Sequence, residues 1–286
     1  MSLDPDVLTA TLRVLVCLGT ILAAGSVLFA LSFPGAARQV EPVIVRQVQL
    51  GAALILFTEP ARFVIFQLAI SGGDWNLAFG PDMRWMAFEM PNGQAALLRV
   101  VGVMLVLLAT VKASAIAALG AFLAMTSYAL EGHTAGTSQP LWASVALLAH
   151  VVAVHWWIGA LWPLSALTVN ASTHDTFNSV DHFGRLAVPV VVVVITAGAA
   201  VFGSLIGWRV EPTDAYQQLF LAKLTGVAII LSLAAYNKLR LTPMIGERPK
   251  VATARLRQSI RMEWGLAFLV LALTGFVTTT TPGMSQ

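Results

Sequence analysis

The segment from Leu147 to Leu164 reads LLAHVVAVHWWIGALWPL and carries two imidazoles, His150 and His155, in a run otherwise apolar enough to lie in lipid. Ionisable side chains are costly in hydrocarbon and mark functional positions there. Imidazole is a good ligand for copper and for haem iron, and a neutral imidazole also hydrogen-bonds between helices. Five helical residues rotate the side chain by about 140°, so one ion does not take both imidazoles from a straight helix. His150 lies roughly 15 Å below a helix start at Pro140, and His155 about 7 Å deeper. His133 precedes them in EGHTAGTSQP, where a hairpin between two spans would bring it beside His150. The spacing therefore makes His133 with His150 the leading ligand pair. His155 reads as an interhelical hydrogen-bonding residue or a further ligand. His174 and His182, in NASTHDTFNSVDH, read as a solvated loop or helix cap.

Other polar groups punctuate the apolar runs. Glu59 and Arg62 are three residues apart, a spacing at which helical side chains pair. Arg13, Arg99 and Lys223 fall near outer helix ends, where snorkelling accounts for them. Met125 offers a soft thioether suited to Cu(I), and with Glu59 it could line a path inward from the histidines. Glu263 stands at the start of the last span, close to Arg261. The single cysteine, Cys17, excludes an internal disulfide framework and a cysteine-based zinc site. Neither a phosphate-cradling glycine loop, nor HExxH, nor a nucleophile elbow is present. The chain reads as a binding or transport protein rather than an enzyme, with a haem redox role as the alternative.

These residues need elements to hold them, and the composition says which. Of 286 residues, 57% are hydrophobic and 11% charged, against about 25% charged in an ordinary soluble domain. Apolar runs near 7–31, 43–70, 94–111, 113–131, 140–168, 183–207, 217–241 and 261–281 meet or approach the roughly 20 residues that span a bilayer as helix. No period-two alternation argues for a barrel. The expectation is an all-α, polytopic membrane protein of about eight helices in one domain, 1–286. The third and fourth runs form a hairpin broken around Lys112, and the second and fifth are long enough to tilt. The stretch before the first run, MSLDPD, lacks the basic residues of a signal peptide.

Orientation follows from Lys and Arg in short loops. Lys238, Arg240, Arg248, Lys250, Arg255, Arg257 and Arg261 sit between the last two runs, and Arg38, Arg46, Lys112 and Arg185 fall on the same side. That side is read as cytoplasmic. Both termini, His133 and the acidic segments, including Glu131, then face outward. The basic residues do not form an aromatic-rich nucleic-acid face.

Three segments resemble the CopD family of copper-resistance proteins: Gly132–His133 with the His150 segment, YQQLFLAKLTGVAII from Tyr216, and YNKLRLTPMI followed by LRQSIRMEWGLAFLVLALTG. Asn237, Pro243 and Glu263 fall at recognisable family positions. Ala160 and Gln217 stand where the pattern usually has glycine. The resemblance implies eight transmembrane helices in a bacterial inner membrane, which puts both termini in the periplasm, with copper as the ion handled and a periplasmic CopC-like partner. It makes His133 and His150 the copper ligands, with Trp157 and Gly159 as packing signature. On the residues alone, two other readings stay open: a membrane cytochrome with bis-histidine haem b, and an assembly factor that delivers copper to another enzyme.

Overall fold

In the computed structural model of the chain, the described residues are 5–109, 115–131, 140–206 and 215–279. They are almost wholly helical and include no strand. The first helix, α1 (Pro5–Ser32), is followed by the short α2 (Pro34–Gln39) and the long α3 (Glu41–Ile70). Two small helices, α4 (Trp75–Ala78) and α5 (Pro81–Glu89), cross one end of the bundle before α6 (Pro91–Ala109) and α7 (Ala115–Thr126) form the expected hairpin. After a 3₁₀ turn, Ser127–Ala129, come α8 (Pro140–Asn170), α9 (Thr173–Ile206) and α10 (Ala215–Tyr236). A π-helical turn, Asn237–Leu241, leads into α11 (Thr242–Glu247) and the final α12 (Pro249–Thr279).

Seven helical stretches among the described residues are long and apolar enough to cross a membrane. The remaining apolar helix, Ala115–Ala129, is shorter, so the expected eighth span at 113–131 is only partly covered by described helix. The protein is an all-α polytopic membrane protein.

Two expected loops are helical instead. The segment holding His174 and His182 forms the first turns of α9, because the Ser172 hydroxyl accepts the Asp175 N–H at 3.1 Å and donates to its carboxylate at 2.8 Å. That pairing satisfies a free donor of the helix start. His174 is then bonded to Asn178 one turn on, and His182 packs edge-on against Phe33. The last span likewise begins at Pro249 rather than near 261. Its proline suits a first helical position, so Arg255, Arg257 and Arg261 lie on helix rather than in a loop.

The bundle is organised around α1, the most buried span, while α9 and α10 leave most of their apolar side chains on the outside, Val192, Ile195, Leu221 and Leu224 among them. Helices in lipid have no hydrophobic drive toward one another, so close contact depends on small residues. Where α1 crosses α8, Gly25 meets Gly159: a Cβ on Gly25 would come within 2.8 Å of the Gly159 Cα and 2.6 Å of the His155 carbonyl oxygen. Larger residues would push α8 away and move both of its histidines. Gln47 of α3 ties the same place, donating to the Gly159 carbonyl at 3.0 Å. Trp157 and Ala160 are buried in the core beside this crossing.

Candidate functional site

The two α8 histidines occupy different surroundings. His150 is half-buried and turned toward α9, where its Nδ1 lies 2.9 Å from the Val194 carbonyl oxygen. A carbonyl only accepts, so Nδ1 carries the proton and Nε2 holds the lone pair. Gly198 makes room for the ring, since a Cβ there would stand 3.1 Å from Nδ1. Among the described residues no donor is assigned to Nε2. Metal-binding histidines are commonly held in this way, one ring nitrogen tethered to a carbonyl and the other left to coordinate. Lys223 of α10 lies within electrostatic range of the ring.

His155 is buried, at 4% exposure, and fully engaged. Its Nδ1–H donates back to the Val151 carbonyl at 2.8 Å, which leaves Nε2 to accept from the Thr20 hydroxyl at 3.1 Å. The Tyr128 hydroxyl, 2.6 Å from Thr20 Oγ1, can in turn donate to it. The Tyr128 ring also packs edge-on to the imidazole. Cys17 lies within hydrogen-bonding reach of the same Tyr128 hydroxyl.

From Tyr128 the polar chain continues into a charged cluster. The Arg99 guanidinium sits 5.0 Å from the centre of the Tyr128 ring, a cation–π distance. Its Nε donates to Ser127 at 3.0 Å, its Nη1 pairs with Glu59, and its Nη2 lies 3.2 Å from Glu131. Arg62 joins both carboxylates, at 3.0 Å from Glu59 and 3.3 Å from Glu131. Two guanidiniums and two carboxylates balance. At Glu131 burial pushes the carboxyl up, but Arg99 and Arg62 more than offset this and hold it below its usual range. Beside the cluster a cavity of about 220 Å³ opens between α1, α3 and α6, lined by Arg13, Glu59, Arg62 and Glu131 among others.

The pairing of Glu59 with Arg62 is as the spacing implied. Arg99 is a correction: it does not snorkel but is fully buried, because Glu59 and Glu131 arrive from other helices to neutralise it. Met125 is buried among Val16, Ala24 and Val151 in the apolar cluster beside this chain. His133 lies outside the described residues. His150 and His155 do not converge on one point, in keeping with their helical angle. No group of three or more His, Cys, Asp or Glu is gathered as a metal cage among the described residues. Sequence reading missed Thr20, Tyr128 and Cys17 as members of the network. Single polar residues in apolar helices carry no signal of which neighbour they face.

The described residues thus form a helical membrane bundle in which one imidazole, His150, is tethered through a single ring nitrogen. Two portions of the chain match two family models: residues 3–139 that of the copper resistance protein D-like N-terminal domain, and residues 177–277 that of copper resistance protein D. The chain is also 27% identical to copper resistance protein D of Pseudomonas syringae pv. tomato, an alignment that covers 98% of each chain. No solved structure matches. The chain belongs to the copper resistance protein D family.

Proposed function

We propose that the protein binds copper ions from the outer side of a bacterial inner membrane through His150 and passes them inward. The observation that carries this reading is the fixed tautomer of His150. With Nδ1–H held by the Val194 carbonyl, Nε2 presents a lone pair in the outer half of α8. His133 is the second ligand in this proposal, supplied from the segment before α8. His155 has its own lone pair occupied by Thr20 and serves as a structural or relay residue. Glu59 is already compensated by two arginines and acts as a counter-charge at the outer mouth, and Met125 offers a soft contact farther in. The Lys and Arg asymmetry sets the basic end in the cytoplasm and the termini in the periplasm, where a CopC-like protein would deliver the ion.

Metal and pigment analysis of purified protein tests this reading. The expected result is copper binding by a protein that is colourless as isolated, and binding that weakens in acid because protonated imidazole cannot coordinate. A stoichiometric b-type spectrum, lost on His150→Ala, would replace copper with haem. Single-cysteine labelling at Ser285 decides the orientation: modification from the periplasmic side is expected, and modification from the cytoplasmic side alone would reverse it.

A further inference from the structure

The inner half of the bundle holds a carboxyl that the copper path does not use. Glu263 on α12 is 2% exposed. It takes part in none of the ion pairs among the described residues. Its partner is the side-chain amide of Asn237, whose Nδ2 donates to Oε1. Asn237 opens the π-helical turn after α10, and Thr242 holds its backbone carbonyl at 2.9 Å. Such π turns within helices recur at functional sites.

The hydrogen-bond count at this pair is one donor short. Asn237 Oδ1 is buried and has no partner among the described residues. An ionised carboxylate offers only acceptors and leaves Oδ1 unmet. A neutral carboxylic acid supplies the missing donor, its O–H pointing to Oδ1 while Nδ2–H points to its other oxygen. Ser259, one turn earlier on the same face of α12, has a buried hydroxyl likewise without a partner. That hydroxyl can turn to donate to the anion once the proton leaves.

Charges on the surrounding elements point elsewhere. Lys238 lays its stem on Gly184 of α9, and Arg257 donates to Thr168 at 3.1 Å. Arg240, Glu247 and Arg261 are exposed. On α10, Tyr236 is exposed and Lys223 lies in the outer half, as do Arg13 and Cys17 on α1. The α8 histidines are bonded to Val194 and Thr20.

We infer that Glu263, paired with Asn237 at the π turn, is a proton-carrying site that exchanges its proton for the charge of the transported metal ion. The inference rests on the copper-transport reading above. In the exchange the Glu263 O–H breaks, the electron pair stays on the carboxylate, and the proton leaves to water at the basic inner end. One proton departs for the single positive charge of a cuprous ion brought in, so the apolar interior keeps its net charge.

Infrared difference spectroscopy of the purified full-length protein near neutral pH, with copper binding measured on the same sample, tests this. Wild type should show the carbonyl stretch of a protonated carboxylic acid. The band should vanish in Glu263→Gln, shift in Asn237→Ala, and diminish on adding copper, with about one proton per copper released beyond that of Glu263→Gln. Circular dichroism and size exclusion confirm that each variant is folded, and the Asn237→Ala shift assigns the band if Glu263→Gln is not. Absence of the band, or a band unmoved while copper binds, overturns the exchange. Wild-type protein that binds no copper sinks the transport reading and the exchange with it.

Discussion

Two buried carboxylates in this chain solve the same electrostatic problem in opposite ways. Glu59, on α3, is 2% exposed and faces two guanidiniums. Glu263, on α12, is equally buried and faces an amide. A buried charge must be paired or neutralised. The outer cluster does this with permanent counter-ions, which fixes geometry and leaves no charge to exchange. The Glu263–Asn237 pair has no counter-ion among the described residues, so on the inference above its neutrality depends on a proton that can come and go. The difference separates a fixed ion lock from a group that, on the inference above, gains and loses a proton.

Breaking the lock should produce the largest effect. Arg99→Ala removes the only fully buried guanidinium of the described cluster and leaves two carboxylates under-compensated, and removing one member of a buried ion network costs about 3–5 kcal/mol. Thermal unfolding in detergent, followed by circular dichroism, measures it. Loss of only a few tenths would mean that water reaches the cluster and the comparison fails. At the inner pair, Asn237→Leu removes the amide and should cost about 1–3 kcal/mol, less than Arg99→Ala because a neutral acid is left behind rather than a bare charge. An equal or larger loss would show that Glu263 is ionised in the folded protein.

Acid should distinguish the regions further. The Glu131 carboxyl is held below its usual range in the folded protein, so its contribution is complete above that range and is lost as pH falls through the depressed value. The stability gap between wild type and Glu131→Gln should therefore close in strong acid and stay open at neutral pH. A gap independent of pH would contradict the ion lock. The smallest effect belongs to the exposed pair Arg185–Asp181, at 3.1 Å with Arg185 67% exposed. Arg185→Ala should change stability by no more than about 0.5 kcal/mol.

The bundle was legible in the sequence because lipid demands long apolar runs, and those runs are visible without any knowledge of contacts. Boundaries were less so. The polar segments around His174 and Arg255 read as loops, yet a Ser172–Asp175 cap and a proline at 249 extend helices through them. At the site, the angle between His150 and His155 followed from helical geometry and held. What escaped was every relation between helices far apart in the chain. Thr20 and His155 are 135 residues apart and Arg99 and Glu59 are 40 apart, and no local pattern encodes such meetings. Arg99 illustrates the cost: its position near a helix end implied snorkelling, and only the arrival of two carboxylates from other helices makes burial favourable.

In the proposed copper site His150, and not His155, presents the coordinating nitrogen. Copper binding measured by equilibrium dialysis on folded wild type, His150→Ala and His155→Ala tests it most directly. Loss of the site is expected in His150→Ala and near-wild-type stoichiometry in His155→Ala, with the larger loss of stability in the latter, which breaks the Thr20 and Val151 bonds where His150→Ala breaks that to Val194. Full copper binding by His150→Ala, or equal loss from both variants with the fold retained, would contradict it.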